Sequence, residues 1–483
     1  MSATVSEAPR VRGREIFGHP AGLYVLFFTE AWERFCYYGM RALLALYVAK
    51  ELARPEIAPT VLGFTSLQAA LAHVFGPLDN EQLADQIYGL YTAAVYLTPF
   101  FGGILADRLI GQRKSVVIGG LLMAIGEFML MKESLFLPAV IILTIGNGFF
   151  KSNISTQVGA LYPPGDPRRD RAFNIFYVGI NLGAFFSPFV CGTLGEKVGW
   201  AWGFGSAGIG LLIGLGVYLW GSQFLAPDQI MQKAAGAEKK AESPFTKSEW
   251  ARITALIVLC ALNVSFWGVY EQQGNSLQFW ADGSSDRHVL AWLGSNWEMP
   301  STWFQAVNPT FIVFGTPVIN WLWTKQAAKG TEPSSVAKMA IGCFLLGISF
   351  LVMIPAARTV AGGGLASFNW LIGCTFLLTL GELYLSPIGL SLVTKIAPPR
   401  IVSMMMGMWF LSSCVGDYLS GYLATYTHKM SSSMFFVMLS GISLATGVLM
   451  ILFYAPLKKA IGDENAAAHT TSEDEAKASE LAA

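Results

Sequence analysis

The sequence predicts an all-α membrane protein with twelve transmembrane helices in two six-helix bundles and both termini in the cytoplasm. Three observations carry that expectation. Of 483 residues, 53% are hydrophobic and only 13% are charged, against about 25% charged in an ordinary soluble domain. Apolar runs close to the ~20 residues of a bilayer crossing fall near 21–49, 84–106, 115–132, 136–160, 172–195, 202–224, 250–273, 301–324, 336–357, 368–394, 402–427 and 432–456. Lysines and arginines gather on alternate loops: Arg10, Arg12, Arg14; Arg108, Arg113, Lys114; Arg168, Arg169, Arg171; Lys239, Lys240, Lys247; Lys325, Lys329, Lys338; Lys395, Arg400; and Lys458, Lys459. The positive-inside rule then puts both ends in the cytoplasm and requires an even number of spans.

The polar connection 225–249, containing Ala-Ala-Gly-Ala-Glu-Lys-Lys-Ala-Glu-Ser-Pro, divides the spans six and six. It separates an N-terminal bundle, 15–224, from a C-terminal bundle, 250–458. It is too short to hide two more spans of about 20 residues each, so twelve are expected rather than fourteen. The tails 1–14 and 459–483, rich in Ala, Glu, Ser and Lys, read as disordered. The partly apolar stretch 51–82 forms either a short amphipathic piece on the outer surface or an extension of helix 1. Helix 6 carries Gly203, Gly205, Gly208, Gly210, Gly214 and Gly216, a small-residue spacing that allows close helix contact. Trp200, Trp250, Trp292 and Trp297 near span ends read as interface anchors.

Zero net charge gives no reason to expect a nucleic-acid partner. The six cysteines, Cys36, Cys191, Cys260, Cys343, Cys374 and Cys414, all lie in apolar segments without metal spacing and read as buried thiols. No nucleophile–base pair, metal cluster or cofactor loop supports an enzyme, and no added soluble domain supports a sensor. The polar first twenty residues lack a cleavable pattern, so helix 1 is read as a retained signal anchor. Compact loops and the lack of a targeting segment point to a bacterial inner membrane.

The chemistry concentrates in helix 1. The run Thr29-Glu30-Ala31-Trp32-Glu33-Arg34-Phe35-Cys36-Tyr37-Tyr38-Gly39-Met40-Arg41 sets two carboxylates and two guanidinium groups inside a membrane-length apolar stretch. Intramembrane charge is costly and marks function. At about 100° per residue, Glu30, Glu33, Arg34, Tyr37, Tyr38 and Arg41 share an arc of roughly 140° on one helix face. A second feature, Gly103-Ile-Leu-Ala-Asp107-Arg108-Leu-Ile-Gly111-Gln-Arg113-Lys114, joins helices 2 and 3. Asp107 there can face a neighbouring helix N-terminus or a basic residue and lock two helices. This loop resembles the signature of the major facilitator superfamily, with one extra residue before the second glycine.

The helix 1 run resembles the ExxER signature of the proton-coupled oligopeptide transporter family, and the match continues through Phe35-Cys36-Tyr37-Tyr38-Gly39-Met40-Arg41. Two further segments, Phe173 to Gly183 and Gly381-Glu382-Leu383-Tyr384-Leu385-Ser386-Pro387, resemble the family's helix 5 and helix 10 motifs. The resemblance spans about 15–458 and implies a proton-driven symporter of di- and tripeptides, extending to peptide-like drugs, that uses no other cofactor. It implies a proton-handling cluster of Glu30, Glu33 and Arg34 with Lys151 close by. Tyr37, Tyr38, Arg41, Tyr96, Lys151, Asn181, Asn308, Glu382, Ser386 and Trp409 would line the peptide site. Arg41 with Glu271, and Lys151 with Glu382, would form gate salt bridges at the outer and inner ends. The expected state is a monomer in the lipid bilayer.

A free dipeptide is a zwitterion, and its two charges need partners in a low-dielectric cavity: cations for one end and a carboxylate for the other. Coupling needs a group whose charge changes, and in Glu30 or Glu33 desolvation favours the neutral form while Arg34 favours the ionised one. Animal members of the family carry a helix 2 histidine that handles protons, and Gly89 occupies the aligned position here. All five histidines, His19, His73, His288, His428 and His469, lie in loops, tails or near helix ends, which leaves the burden on the two glutamates. A nitrate, other anion or drug cargo on the same fold is the alternative; the intact ExxER pattern favours peptides. Glu127 on helix 3 and Asp417 on helix 11 match no family position, and for each a satisfied hydrogen bond within a bundle is expected.

Overall fold

The computed structural model describes residues 15–163, 166, 168–228, 245–398 and 401–454. Both tails and most of the 225–249 connection lie outside the described residues. Within them, twelve α-helices of at least 19 residues follow one another. They are α1 Ala21–Tyr47, α2 Asn80–Leu105, α3 Gln112–Leu130, α4 Phe136–Ala160, α5 Arg168–Ser187 and α6 Trp200–Gly221. Then come α7 Lys247–Tyr270, α8 Val307–Ala328, α9 Ser335–Ala361, α10 Asn369–Ile396, α11 Val402–Ala424 and α12 Ser432–Leu452. Eight helical stretches among the described residues are long and apolar enough to cross a membrane. The other four are α1, α3, α8 and α11. Of these, α1 carries Glu30, Glu33, Arg34 and Arg41, and α3 carries Arg113, Lys114 and Glu127.

Polar caps set several boundaries that hydropathy misplaces. The Asp79 carboxylate accepts from the Gln82 backbone amide at 2.9 Å and the Gln82 side-chain oxygen accepts from the Asp79 backbone amide at 3.1 Å, so α2 starts at Asn80 and not at 84. Thr246 and Glu249 form the same reciprocal cap, making 247–249 the first residues of α7 instead of the end of a linker. Each such cap stabilises its helix by about 1 kcal/mol. Both readings of 51–82 hold in part: α1 continues as a wider turn through Val48–Leu52, and Phe64–Phe75 forms a separate short helix.

Side chains divide into two large apolar cores, one from Leu23 to Leu225 and one from Ala255 to Met450. In the first, α1 packs on α5 and α6, and α4 on α2 and α3; in the second, α9 packs on α10 and α12, and α7 on α11. The helix 6 glycines act where they face α1: a Cβ on Gly210 or Gly214 would stand 2.8 Å from Phe35 or Trp32, whereas Gly216 faces open space. All six cysteines are buried and unbridged.

The two halves meet chiefly through α2 against α11 and α5 against α8. Gly89 lies on Gly421, where a Cβ would be only 3.1 Å from the facing Cα. One and two turns before Gly89, the Gln86 and Gln82 side-chain amides donate to the carbonyls of Gly421 and Thr425 at 3.0 and 2.9 Å. Beyond α5, Glu196 accepts from the amides of Ser301 and Thr302 at 3.0 and 2.7 Å, and the Trp303 indole donates to Thr193 at 2.8 Å. Lys50 and Asp282 form an ion pair at 2.5 Å. These contacts gather where α1 finishes and α2 begins, so the molecule is closed at that end.

The α2–α3 loop departs from expectation in its partner. Among the described residues, Asp107 reaches only the Gln112 side chain, at 3.5 Å. The lock is made by Asp228, which accepts from the Arg113 amide at 2.9 Å, while the Arg113 guanidinium donates to the carbonyls of Ser222 and Leu225 after α6. A Gly89→Val substitution forces α2 off α11, and overpacking of this kind costs about 1–3 kcal/mol. A fall in the melting temperature of the detergent-purified protein checks it; an unchanged melting temperature would show that the contact is loose.

Candidate functional site

The polar face of α1 becomes the wall of a charged interior because α4, α7 and α10 supply the opposing groups. Arg34 lies between two carboxylates, with its Nε 3.1 Å from Glu30 and hydrogen-bonded to Glu33. All three side chains are buried, Glu33 completely. The Asn147 amide of α4 donates to the other Glu33 oxygen at 3.5 Å. The Arg34 guanidinium also sits over the Tyr37 ring at 5.0 Å. One Glu30 oxygen and one Arg34 nitrogen have no protein partner among the described residues, so the cluster holds unused capacity for a proton or water.

Two turns along α1, Arg41 donates to Glu271 at 2.5 Å and to the Tyr88 hydroxyl at 2.5 Å. Tyr88 in turn donates to the same Glu271 oxygen at 3.2 Å. This closed triangle of α1, α2 and the end of α7 joins the two halves at the shut end. Arg41 also lies near the Tyr38 and Tyr88 rings, at 5.8 and 5.7 Å.

Lys151 and Glu382 are not paired with each other. The Lys151 ammonium rests over the Tyr96 ring at 3.9 Å, a cation–π contact. Glu382 accepts from the Tyr270 hydroxyl and, at 3.2 Å, from the Asn308 amide. The ion pair expected between them is therefore absent in this structure, because each member has a local partner on its own half. Asn308 spends its amide on Thr379 at 2.9 Å as well as on Glu382, and Asn181 donates to the Tyr177 carbonyl of its own helix at 2.9 Å.

Of the remaining expected site residues, Tyr37 is buried and stacked on Tyr91, while Tyr38 and Ser386 are half-buried. Trp409 belongs to the second apolar core, its ring pressed on Gly389. Gly89 has backbone against it, and a Cβ there would meet it at 3.1–3.3 Å, tighter than ordinary contact. Among the described residues, Glu127 accepts from the Cys36 thiol at 3.2 Å but leaves its second oxygen unpartnered, and Asp417 leaves both unpartnered. The satisfied hydrogen bond expected for each is half present in the first and missing in the second. Sequence reasoning passed over Tyr88, Asn147, Tyr270 and Thr379. Tyr270 adjoins Glu271, and that adjacency was the available signal; the other three are single polar residues in apolar runs.

A helical membrane fold with a buried, charge-lined interior between two packed halves defines a transporter. A model of the POT family matches residues 113–246 and 237–441. The chain belongs to that family of proton-dependent oligopeptide transporters within the major facilitator superfamily, and it is a multi-pass membrane transporter, not an enzyme. It is 33% identical to an uncharacterized transporter, YclF, of Bacillus subtilis, over 92% of this chain and 96% of that one. It is 30% identical to a di-/tripeptide transporter of Lactococcus lactis subsp. cremoris, over 93% and 98% of the two chains. Among solved structures, a mutant of a peptide transporter POT in complex with alafosfalin matches with a TM-score of 0.80 at 32% identity, covering 93% of this chain and 97% of that one.

Removing the Glu271 carboxylate strands a buried guanidinium, which costs about 3–5 kcal/mol. Glu271→Ala is therefore expected to loosen the shut end, seen as faster hydrogen exchange in peptides covering the end of α1 and the start of α2. Unchanged exchange there would mean that the glutamine and glycine contacts alone hold the closure.

Proposed function

We propose that the protein imports di- and tripeptides, together with protons, across the bacterial cytoplasmic membrane by alternating access. Twelve spans with both termini cytoplasmic form two six-helix bundles, 15–224 and 250–458, that rock about the charged interior. The observation that carries this reading is the separation of charge across that interior: Arg34, Arg41 and Lys151 on one half, Glu382 on the other. A peptide's carboxylate and amino groups need that pair of opposite partners. The backbone between them is common to all peptides, and tyrosine-lined walls accept side chains of many shapes. Peptide-like drugs with the same two charged ends fit the same scheme, and the family likeness to a di-/tripeptide transporter supports it.

Coupling follows from the charge count of the α1 cluster. Two carboxylates, Glu30 and Glu33, share one guanidinium. One proton cancels the surplus negative charge without releasing Arg34 from its second partner. In the cycle, Arg41 leaves Glu271 and the outer end opens; peptide and proton enter and the bundles rock. With the outer end shut, the peptide carboxylate occupies Lys151 and keeps it from Glu382, so the inner end opens. Proton release to the cytoplasm resets the cluster.

Uptake of a labelled dipeptide into liposomes with an inward proton gradient tests the reading directly. Glu33→Gln is expected to abolish gradient-driven uptake while peptide counterflow stays measurable; full gradient-driven uptake in this variant would remove Glu33 from the coupling. Glu382→Ala is expected to damage peptide transport. Nitrate, which has no amino group, would be moved equally well by that variant, and equal nitrate uptake without peptide uptake in the parent protein would replace the peptide reading.

A further inference from the structure

Several buried acids stand outside this cycle, Asp85, Glu127 and Asp417 among them. Asp417, in α11, is 1% exposed, and neither of its carboxylate oxygens has a hydrogen-bond partner among the described residues. The packing explains the lack of donors. At this level α11 meets α2 backbone to backbone, where a Cβ on Gly89 would stand 3.3 Å from the Asp417 carbonyl oxygen. The nearby Ser420 hydroxyl donates to that carbonyl, at 2.8 Å, and not to the side chain.

The charged and titratable groups that interact electrostatically with Asp417 come from several elements: Arg41 and Tyr37 of α1, Tyr96 of α2, Lys151 of α4, Glu271 after α7, and Cys414 of its own helix. Both cations are engaged elsewhere, Arg41 with Glu271 and Tyr88, and Lys151 with the Tyr96 ring. An ionised carboxylate buried without a donor is prohibitively unfavourable, and such a group neutralises instead. Each cation becomes a possible partner once its present contact breaks.

We infer that Asp417 is a second proton-holding site, protonated while the Arg41–Glu271 gate is shut and ionised when Arg41 is released. This rests on the transport reading above. The exchange balances: Arg41 stays charged and turns from Glu271 to Asp417, Asp417 gives one proton to water in the opening interior, and Glu271 takes one from it. The gate thereby opens without leaving an unpaired buried charge on either helix.

The test is Asp417→Asn, which keeps the shape and removes the acid. Infrared difference spectra of the purified protein are expected to lose a protonated-carboxyl band in this variant. Gradient-driven dipeptide uptake is expected to fall about tenfold or more, with a flattened pH profile. An unchanged carboxyl band, or a pH profile that superimposes on the parent's, would overturn the inference. If the Asn variant does not fold, Asp417→Glu carries the same test, where a shifted band supports the assignment and an unshifted one overturns it. Absence of proton-driven dipeptide uptake in the parent protein would sink the transport reading alone, since the infrared readout does not depend on transport.

Discussion

Charge taken out of water has to be neutralised where it lies, and the structure around α1 is arranged by that requirement. Four ionised side chains on one face of a buried helix cannot be tolerated singly. Arg34 is answered within the same helix by Glu30 and Glu33, but Arg41 has no local carboxylate and must find one on the other half of the chain. Its bond to Glu271, supported by Tyr88, makes the closure of one end a consequence of electrostatics. A buried pair of this kind contributes little net stability, yet breaking it by removing one member is costly. That asymmetry makes the pair firm while both members are present, and exchangeable only against another partner for each.

Close backbone approach makes the electrostatics possible. Gly89 on Gly421, and Gly210 and Gly214 against α1, bring helices near enough for short polar side chains to bridge them. Gln82 and Gln86 then bond carbonyls of α11, so α2 and α11 are held by groups that carry no charge. The shut end therefore combines a neutral hinge-like contact with one ion pair, and the interior beyond it keeps Lys151 and Glu382 on separate local partners, Tyr96 on one half and Tyr270 with Asn308 on the other.

The candidate site was legible where a residue violates its surroundings. Glu30, Glu33, Arg34 and Arg41 stand out in an apolar run, and so does Glu382. Their partners were less visible, because a tyrosine or asparagine inside a span violates nothing: Tyr88, Tyr270 and Asn147 read as ordinary apolar-segment residues. The α2–α3 loop shows the same limit. Asp107 lies in a recognisable motif, yet the carboxylate that caps α3 comes from Asp228, more than a hundred residues away. Asn181 and Trp409 matched family positions, but whether an amide faces its own helix or a cavity, and whether an indole lies in a core, depends on neighbours brought in from other helices.

By itself the sequence determined what depends on near neighbours along the chain: the apolar segments, the single polar face of α1, and the concentration of positive charge on alternate loops. These follow from hydropathy and the helical repeat, which act within a few turns. Even the caps at Asp79 and Thr246 were written locally. Only the tertiary structure decided which end is shut, that Arg41 pairs with Glu271 while Lys151 and Glu382 stay apart, and that Asp417 is left without a donor. Those outcomes depend on distances between groups remote in the chain, and a one-residue rotation of a helix, about 100°, would change every one of them.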